Sequence, residues 1–241
     1  MKNSILFKSV CSITLKICIF ISMVIGLAYT LDAQDLKGKG TNLLYFTTQS
    51  NIWIGCLCLV FAVLMIIGLC IKKNLLKNWF YILKFMFTIS ITLTFLVMAF
   101  VLTPDMIARG FGYSFFVPGN IFPHYVTPLL AIADFILFDT EWINKYRNSF
   151  YAVIMPIYYL IFAFICSYNG VIFSRGEKVP YFFLNYDKLT WFGFTSNGPG
   201  VFWWISLLSV FIIGMGFGYI ALNRFMKRTT FAKISDNNQI Q

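Results

Sequence analysis

The chain has 241 residues, of which 59% are hydrophobic and 12% charged, with a formal charge of +10. A soluble domain carries roughly twice that charged fraction, and the apolar residues here come in runs of about 20, the length that crosses a bilayer as a helix; a soluble globular protein is excluded. The basic residues form no arm or stripe, so no nucleic-acid partner is expected, and nearly every residue lies in a span or a short connection, leaving room for a single all-α domain over 1–241, a polytopic six-helix bundle.

The spans are predicted at about 9–31, 43–71, 79–103, 122–138, 149–167 and 199–223. Lys2, Lys8 and Lys16 lead into Ile17–Leu27 in the manner of a signal peptide, but the sequence "GLAYTLDA" that follows is a weak cleavage site, so the first span is read as retained. Lys16, and Lys84 in the third span, lie close enough to one membrane face to snorkel, and neither is assigned a role.

The second span opens with "YFTTQSN", five polar residues at the mouth of an apolar run. At about 100° per residue, Thr47, Ser50 and Asn51 make one stripe, while Thr48 and Gln49 point elsewhere. Such residues either bond to their own helix and its neighbour or serve a site. The fourth span, "IFPHYVTPLLAIADFILFD", carries the chain's one histidine, His124, on a common face with Thr127 and Asp134. Asp134 lies ten residues beyond His124, roughly 15 Å deeper. A carboxylate at that depth must face the bundle interior and hold a partner; with no cation in its own span, hydrogen bonds from other helices or protonation are expected. Pro128 cannot donate to the carbonyl of His124, which loosens the backbone there and favours an irregular polar pocket. The connection at 168–198 is rich in aromatics, Tyr181 among them, and is read as an interfacial anchor or a cap over a site.

Lys and Arg set the orientation. Eleven of them flank one side, in the N-terminal tail, the 2–3 and 4–5 connections and the C-terminal tail. Six flank the other: Lys37, Lys39, Arg109, Arg175, Lys178 and Lys188. The first side is therefore cytoplasmic, with both termini inside, and the chain is expected in the cell membrane as a multi-pass protein. Thr47, His124 and the aromatic connection then share the outer face. The six cysteines all lie in or beside apolar runs and read as small apolar residues, and one histidine gives a metal site little support, so no metal or cofactor is expected. Gly-rich phosphate loops, G-x-S-x-G and H-E-x-x-H are absent from the sequence.

"YFTTQSN", "HYVTPLLAIAD" and, more loosely, "VPYFFLN" at Val179–Asn185 resemble the six-helix bacterial membrane proteins of the Pr-six-Pr family, over nearly the whole chain. The third motif departs at Val179, Phe182 and Asn185, the last standing where that family often has an acid. That family in turn resembles, more distantly, the animal androgen-induced membrane proteins, multi-span threonine hydrolases of fatty-acid esters. The resemblance implies a Thr nucleophile at Thr47 and a His base at His124, one residue out of register with the proline that follows. A Thr hydroxyl needs such a base within hydrogen-bond reach. Gln49, Ser50, Asn51, Thr127, Asp134 and Tyr181 are the supporting or substrate-binding candidates, with Asn51, Gln49 or backbone N–H groups near Pro123 as oxyanion donors. The expected partners are membrane lipids, one of them a lipid-ester substrate. Two alternatives stay open: a lipid- or ligand-binding protein without turnover, and a transporter, which would need Asp134 in a charged path.

Overall fold

A computed structural model of the chain describes residues 2–32, 41–108, 110, 116–140, 142, 144–173 and 176–239. Lys37, Lys39, Arg109 and Arg175, used above for orientation, lie outside that set. Among the described residues, six helices are long and apolar enough to cross a membrane: α1 (Leu6–Leu31), α2 (Phe46–Ile71), α3 (Asn78–Ala108), α4 (Pro118–Leu137), α5 (Tyr146–Tyr168) and α6 (Val201–Thr229). The architecture is an all-α polytopic bundle, as the apolar runs predict. Six helices alternating in direction put the start of α1 and the end of α6 at one end of the bundle, the terminal end. The starts of α2, α4 and α6 lie at the opposite end.

The central post is α3, 56% buried over its most apolar window against 17–33% for the others. It packs on α2, α4, the start of α5 and the middle of α6, while α1 packs on α2 and α4. Small residues let α1 approach closely. A Cβ at Gly55 would sit 2.8 Å from Met23, and one at Gly26 would sit 3.2 Å from Pro123. The main core joins Phe46, Leu57 and Phe61 of α2, Phe85, Ile89 and Leu93 of α3, Phe135 of α4, Tyr159 of α5 and Ile212 of α6.

Tyr45 is extended (φ −77°, ψ 144°) after a 3-10 turn at Thr41–Leu44, and α2 starts at the next residue. Two π-helical turns interrupt the regular helices, Met98–Leu102 in α3 and Phe122–Val126 in α4. Each runs into a Thr-Pro pair, Thr103-Pro104 and Thr127-Pro128. The prolines have no N–H for the carbonyls of Phe100 and His124. The preceding threonine N–H instead reaches back five residues, to the carbonyls of Met98 and Phe122. The extra residue in each turn rotates the side chains before it relative to those after it.

The connection from α5 to α6 is a packed structure. It holds a 3-10 turn at Phe182–Leu184, a helical turn at Tyr186–Leu189, and a two-stranded hairpin that pairs Phe194–Thr195 with Gly198–Pro199. Val179, Phe183, Leu184, Leu189 and Val201 form its own core against Leu160 and Phe164 of α5 and Trp204 and Leu208 of α6. The Tyr181 ring stacks on Phe183 at 5.3 Å, with 1° between the ring planes.

Candidate functional site at the mouth of the bundle

A cavity of about 970 Å³ opens at the non-terminal end. Thr47 and Thr48 line it from α2, Met98, Leu102 and Asp105 from α3, Asn120 and His124 from α4, and Tyr181, Asn185 and Lys188 from the α5–α6 connection. Of the residues singled out in the sequence, Thr47, His124 and Tyr181 therefore share one space.

Each is held by a local cause. Thr47 sits in the first turn of α2, and the first intrahelical bond, from Gln49 N to Tyr45 O at 3.1 Å, leaves the earlier N–H groups without helix partners. Two tyrosine oxygens face that end: Tyr181 faces the hydroxyl and N–H of Thr47, and Tyr159 faces the N–H of Phe46. Tyr159 also donates to the Leu44 carbonyl at 3.0 Å. Burial pushes the Tyr181 phenol up to about 12, a rise that Thr47 partly offsets by stabilising the phenolate. Tyr181 is therefore a neutral O–H donor across the physiological range.

His124 lies inside the π-turn of α4, and its Nδ1 is 2.9 Å from the carbonyl of Asn120. A carbonyl only accepts, so Nδ1 carries the proton and Nε2 keeps a free lone pair. Asn51 joins the two catalytic candidates through the backbone. Its side-chain amide donates to the carbonyl of Thr47 at 2.8 Å and to that of Pro123 at 2.9 Å. The first turn of α2 is thereby tied to the residue just before His124. With both amide hydrogens committed, Asn51 has none left for an oxyanion. It holds the two backbone segments together.

The expected stripe splits. Ser50 turns to α3, bonding Thr94 Oγ1 at 2.8 Å and the Thr47 carbonyl at 3.1 Å. Gln49 reaches back to the Leu43 carbonyl at 3.4 Å. Thr48, expected to point away, lines the cavity with Thr47, because the cavity sits over the end of α2. Thr127 is fully buried and bonded to Ser22 of α1 at 2.7 Å, so it fastens helices and does not reach the cavity. At the rim, Glu177 accepts from Asn185 at 2.9 Å and from Lys188 at 2.6 Å. Asn185, where an acid might have stood, thus serves as a donor to one.

Asp134 lies apart from the cavity, in a buried ring of charge. Lys16 of α1 contacts Asp134 at 2.8 Å and Asp139 at 3.1 Å, and Lys84 of α3 contacts both Asp134 and Asp139, the latter at 2.6 Å. Neither lysine snorkels: both side chains are 0% exposed. Asp134 has no cation in its own span, and the hydrogen bonds expected from other helices are present, donated by the two lysine ammonium groups. Two ammonium groups and two carboxylates cancel, which is what lets four charges sit in an apolar bundle. The Phe61 ring lies below both ammonium groups, 5.7 Å from Lys16 Nζ and 4.9 Å from Lys84 Nζ. Asn223 of α6 fixes the segment after α4 by donating to the Asp139 carbonyl at 2.9 Å and accepting from Trp142 at 3.1 Å.

The cysteines are free thiols, with Cys58 buried beside Ile19, Ile54 and Ile91 while Cys56 faces outward. No group of three or more His, Cys, Asp or Glu residues able to hold a metal occurs among the described residues. No family model, curated protein or solved structure matches the chain.

Beside the cavity lies a second, smaller space of about 100 Å³ between α3, α5 and α6, lined almost wholly by apolar side chains. Thr47, Leu102 and Tyr181 border both spaces. Sequence reasoning missed this second space, along with Leu102, Asn120 and Tyr159. Pro128 was the signal in the sequence that pointed to irregular backbone at His124; the matching Thr103-Pro104 step of α3 carried the same signal and went unread.

Proposed function

We propose that the chain hydrolyses a lipid ester, with Thr47 as nucleophile and His124 as general base. The observation that carries this reading is the placement of Thr47. Thr47 borders both a polar cavity that His124 also lines and an apolar crevice, the arrangement an ester with one polar and one apolar arm requires. The resemblance to the threonine hydrolases points the same way. His124 Nε2 takes the Thr47 proton as the Thr47 oxygen bonds to the ester carbonyl carbon. The proton passes to the alcohol oxygen as the carbon–oxygen bond of the ester breaks. A water, deprotonated by the same nitrogen, then cleaves the acyl-threonine and restores both side chains. The Tyr181 O–H, facing Thr47, is the donor for the developing oxyanion. In this reading the protein lies in the cell membrane with both termini cytoplasmic and the cavity facing the outer leaflet.

A fluorophosphonate probe on the purified protein tests it. Covalent labelling is expected in the wild type, and none in Thr47→Ala or His124→Gln variants of unchanged melting temperature. Labelling that persists in Thr47→Ala removes Thr47 as nucleophile. Bound lipid together with no labelling at all would favour binding without turnover.

A further inference from the structure

We propose that the crevice between α3, α5 and α6 seats a single acyl chain. The carbonyl of that chain lies at Thr47, and the alcohol part of the molecule lies in the polar cavity. The assignment rests on the hydrolase reading for its carbonyl position and on the shape of the crevice for its chain.

Three observations carry it. The crevice wall is formed by Phe46, Leu93, Val97, Leu160, Leu208 and Ile212, among others, from α2, α3, α5 and α6. The cavity wall instead carries Asn42, Asp105, Asn120, Glu177, Asn185 and Lys188. The two spaces thus sort an amphiphile by polarity, and Thr47 stands at their junction. Second, the two spaces differ about tenfold in volume, about 100 Å³ against about 970 Å³. The smaller, apolar space suits a slim hydrocarbon chain, while the larger cavity takes a bulky polar or branched group. Third, the crevice rim includes Ile157 of α5, 46% exposed on a helix that faces lipid once the bundle is in a membrane. A chain can therefore pass from the bilayer into the crevice sideways, without crossing the packed α5–α6 connection.

Moving a chain from bilayer to crevice exchanges one hydrocarbon surrounding for another, so water exclusion adds little affinity. The crevice sets the position of the chain, and position is what the experiment reads. A sixteen-carbon fatty acid with a diazirine at its chain end, irradiated with the protein in nanodiscs and mapped by peptide mass spectrometry, is the probe. Adducts are expected on Leu160, Leu208 or Ile212, persisting in Thr47→Ala and lost in Leu208→Trp, whose indole fills the crevice. Ser209→Phe, on the same wall, serves should Leu208→Trp not fold, and Leu208→Met should label like the wild type. Adducts confined to outward-facing Ile161, Leu207 and Val210, or an adduct pattern that the filling variants leave unchanged, overturn the assignment. The probe has no ester, so the two readings fail separately. Crevice adducts without fluorophosphonate labelling would sink the hydrolase and leave the acyl seat; labelling at Thr47 with only outward adducts would do the reverse.

Discussion

Replacing Asp134 by Asn is expected to cripple the fold. Asp134 accepts from both Lys16 and Lys84, and all three side chains are 0% exposed. The variant leaves two ammonium groups sharing one carboxylate, Asp139. Removing one partner of a buried ion pair costs about 3–5 kcal/mol, because the remaining charge stays buried and uncompensated. Against a total stability of about 5–15 kcal/mol this is a large fraction. At about 2–4 °C per kcal/mol for a chain of this size, the melting temperature should fall by on the order of 10 °C. The assay is thermal unfolding in a mild detergent, followed by the loss of the monodisperse peak in size-exclusion chromatography. The compensated variant Lys84→Met/Asp134→Leu removes one charge of each sign, keeps the Lys16–Asp139 pair at 3.1 Å, and should recover most of the loss. The double variant thereby separates the cost of unbalanced charge from the cost of a changed side chain. An Asp134→Asn protein that melts within about 2 °C of the wild type, or a double variant no better than the single one, would refute the argument that the ring is held by charge balance.

Three further outcomes follow from the site. Asn51→Leu leaves the carbonyls of Thr47 and Pro123 without their shared donor; it should cost about 1–3 kcal/mol in thermal unfolding and lower fluorophosphonate labelling although Thr47 and His124 are intact, whereas full labelling would mean the tie does not position them. Burial raises Tyr181 from an ordinary value near 10 to about 12, so the folded state keeps the proton that the unfolded chain releases. The stabilising effect is whole below about pH 10 and is lost as pH rises towards 12, a fall of about 2 kcal/mol that Tyr181→Phe should blunt in pH-dependent unfolding; parallel curves for the two proteins would contradict this. Pro128→Ala returns an N–H to the His124 carbonyl and is expected to convert the π-turn at Phe122–Val126 to regular helix, rotating His124 away from the cavity. His124 is the only histidine, so its carbethoxylation by diethyl pyrocarbonate can be followed alone and should slow; an unchanged rate would mean that the proline does not hold the turn.

The spans were legible because an apolar run of bilayer length is a one-dimensional signal, needing no knowledge of neighbours. Pro128 was legible as a disturbance at His124, since the missing donor is a property of one residue. The form of that disturbance, a wider turn closed by Thr127, depends on how the helix relaxes and was not. The stripe of Thr47, Ser50 and Asn51 failed as a single face for a geometric reason. Helical angle says which way a side chain points, but the cavity lies over the end of α2, so Thr48 reaches it and Ser50 and Asn51 do not. The misreading of Lys16 and Lys84 is the instructive one. Each was judged by its distance from the membrane face along its own helix, which makes snorkelling the cheaper choice. Their partner is 118 residues away from Lys16 and 50 from Lys84, and only tertiary packing brings the carboxylate near enough to make burial the better alternative.

The ring and the cavity lie at different depths in the same helices. Lys16, Lys84 and Asp134 belong to α1, α3 and α4, and these same helices send Thr30, Leu102 and His124 to the cavity wall. Near the mouth, α3 and α4 are weakened by their π-turns, where proline leaves a carbonyl without its usual donor. Loosened helices can hold a fixed spacing at one end only if they are clamped at another depth. The buried ring is such a clamp, short in reach and intolerant of displacement because any gap between the charges exposes them unpaired. Asn51 and the Ser22–Thr127 bond then carry that spacing towards the mouth by hydrogen bonds between α1, α2 and α4. Changes at the ring should therefore be felt at His124, about 15 Å away along α4. The Lys84→Met/Asp134→Leu protein allows this to be seen apart from unfolding: if it regains the wild-type melting temperature but carbethoxylates His124 at a different rate, the ring sets the geometry of the mouth as well as the stability of the bundle.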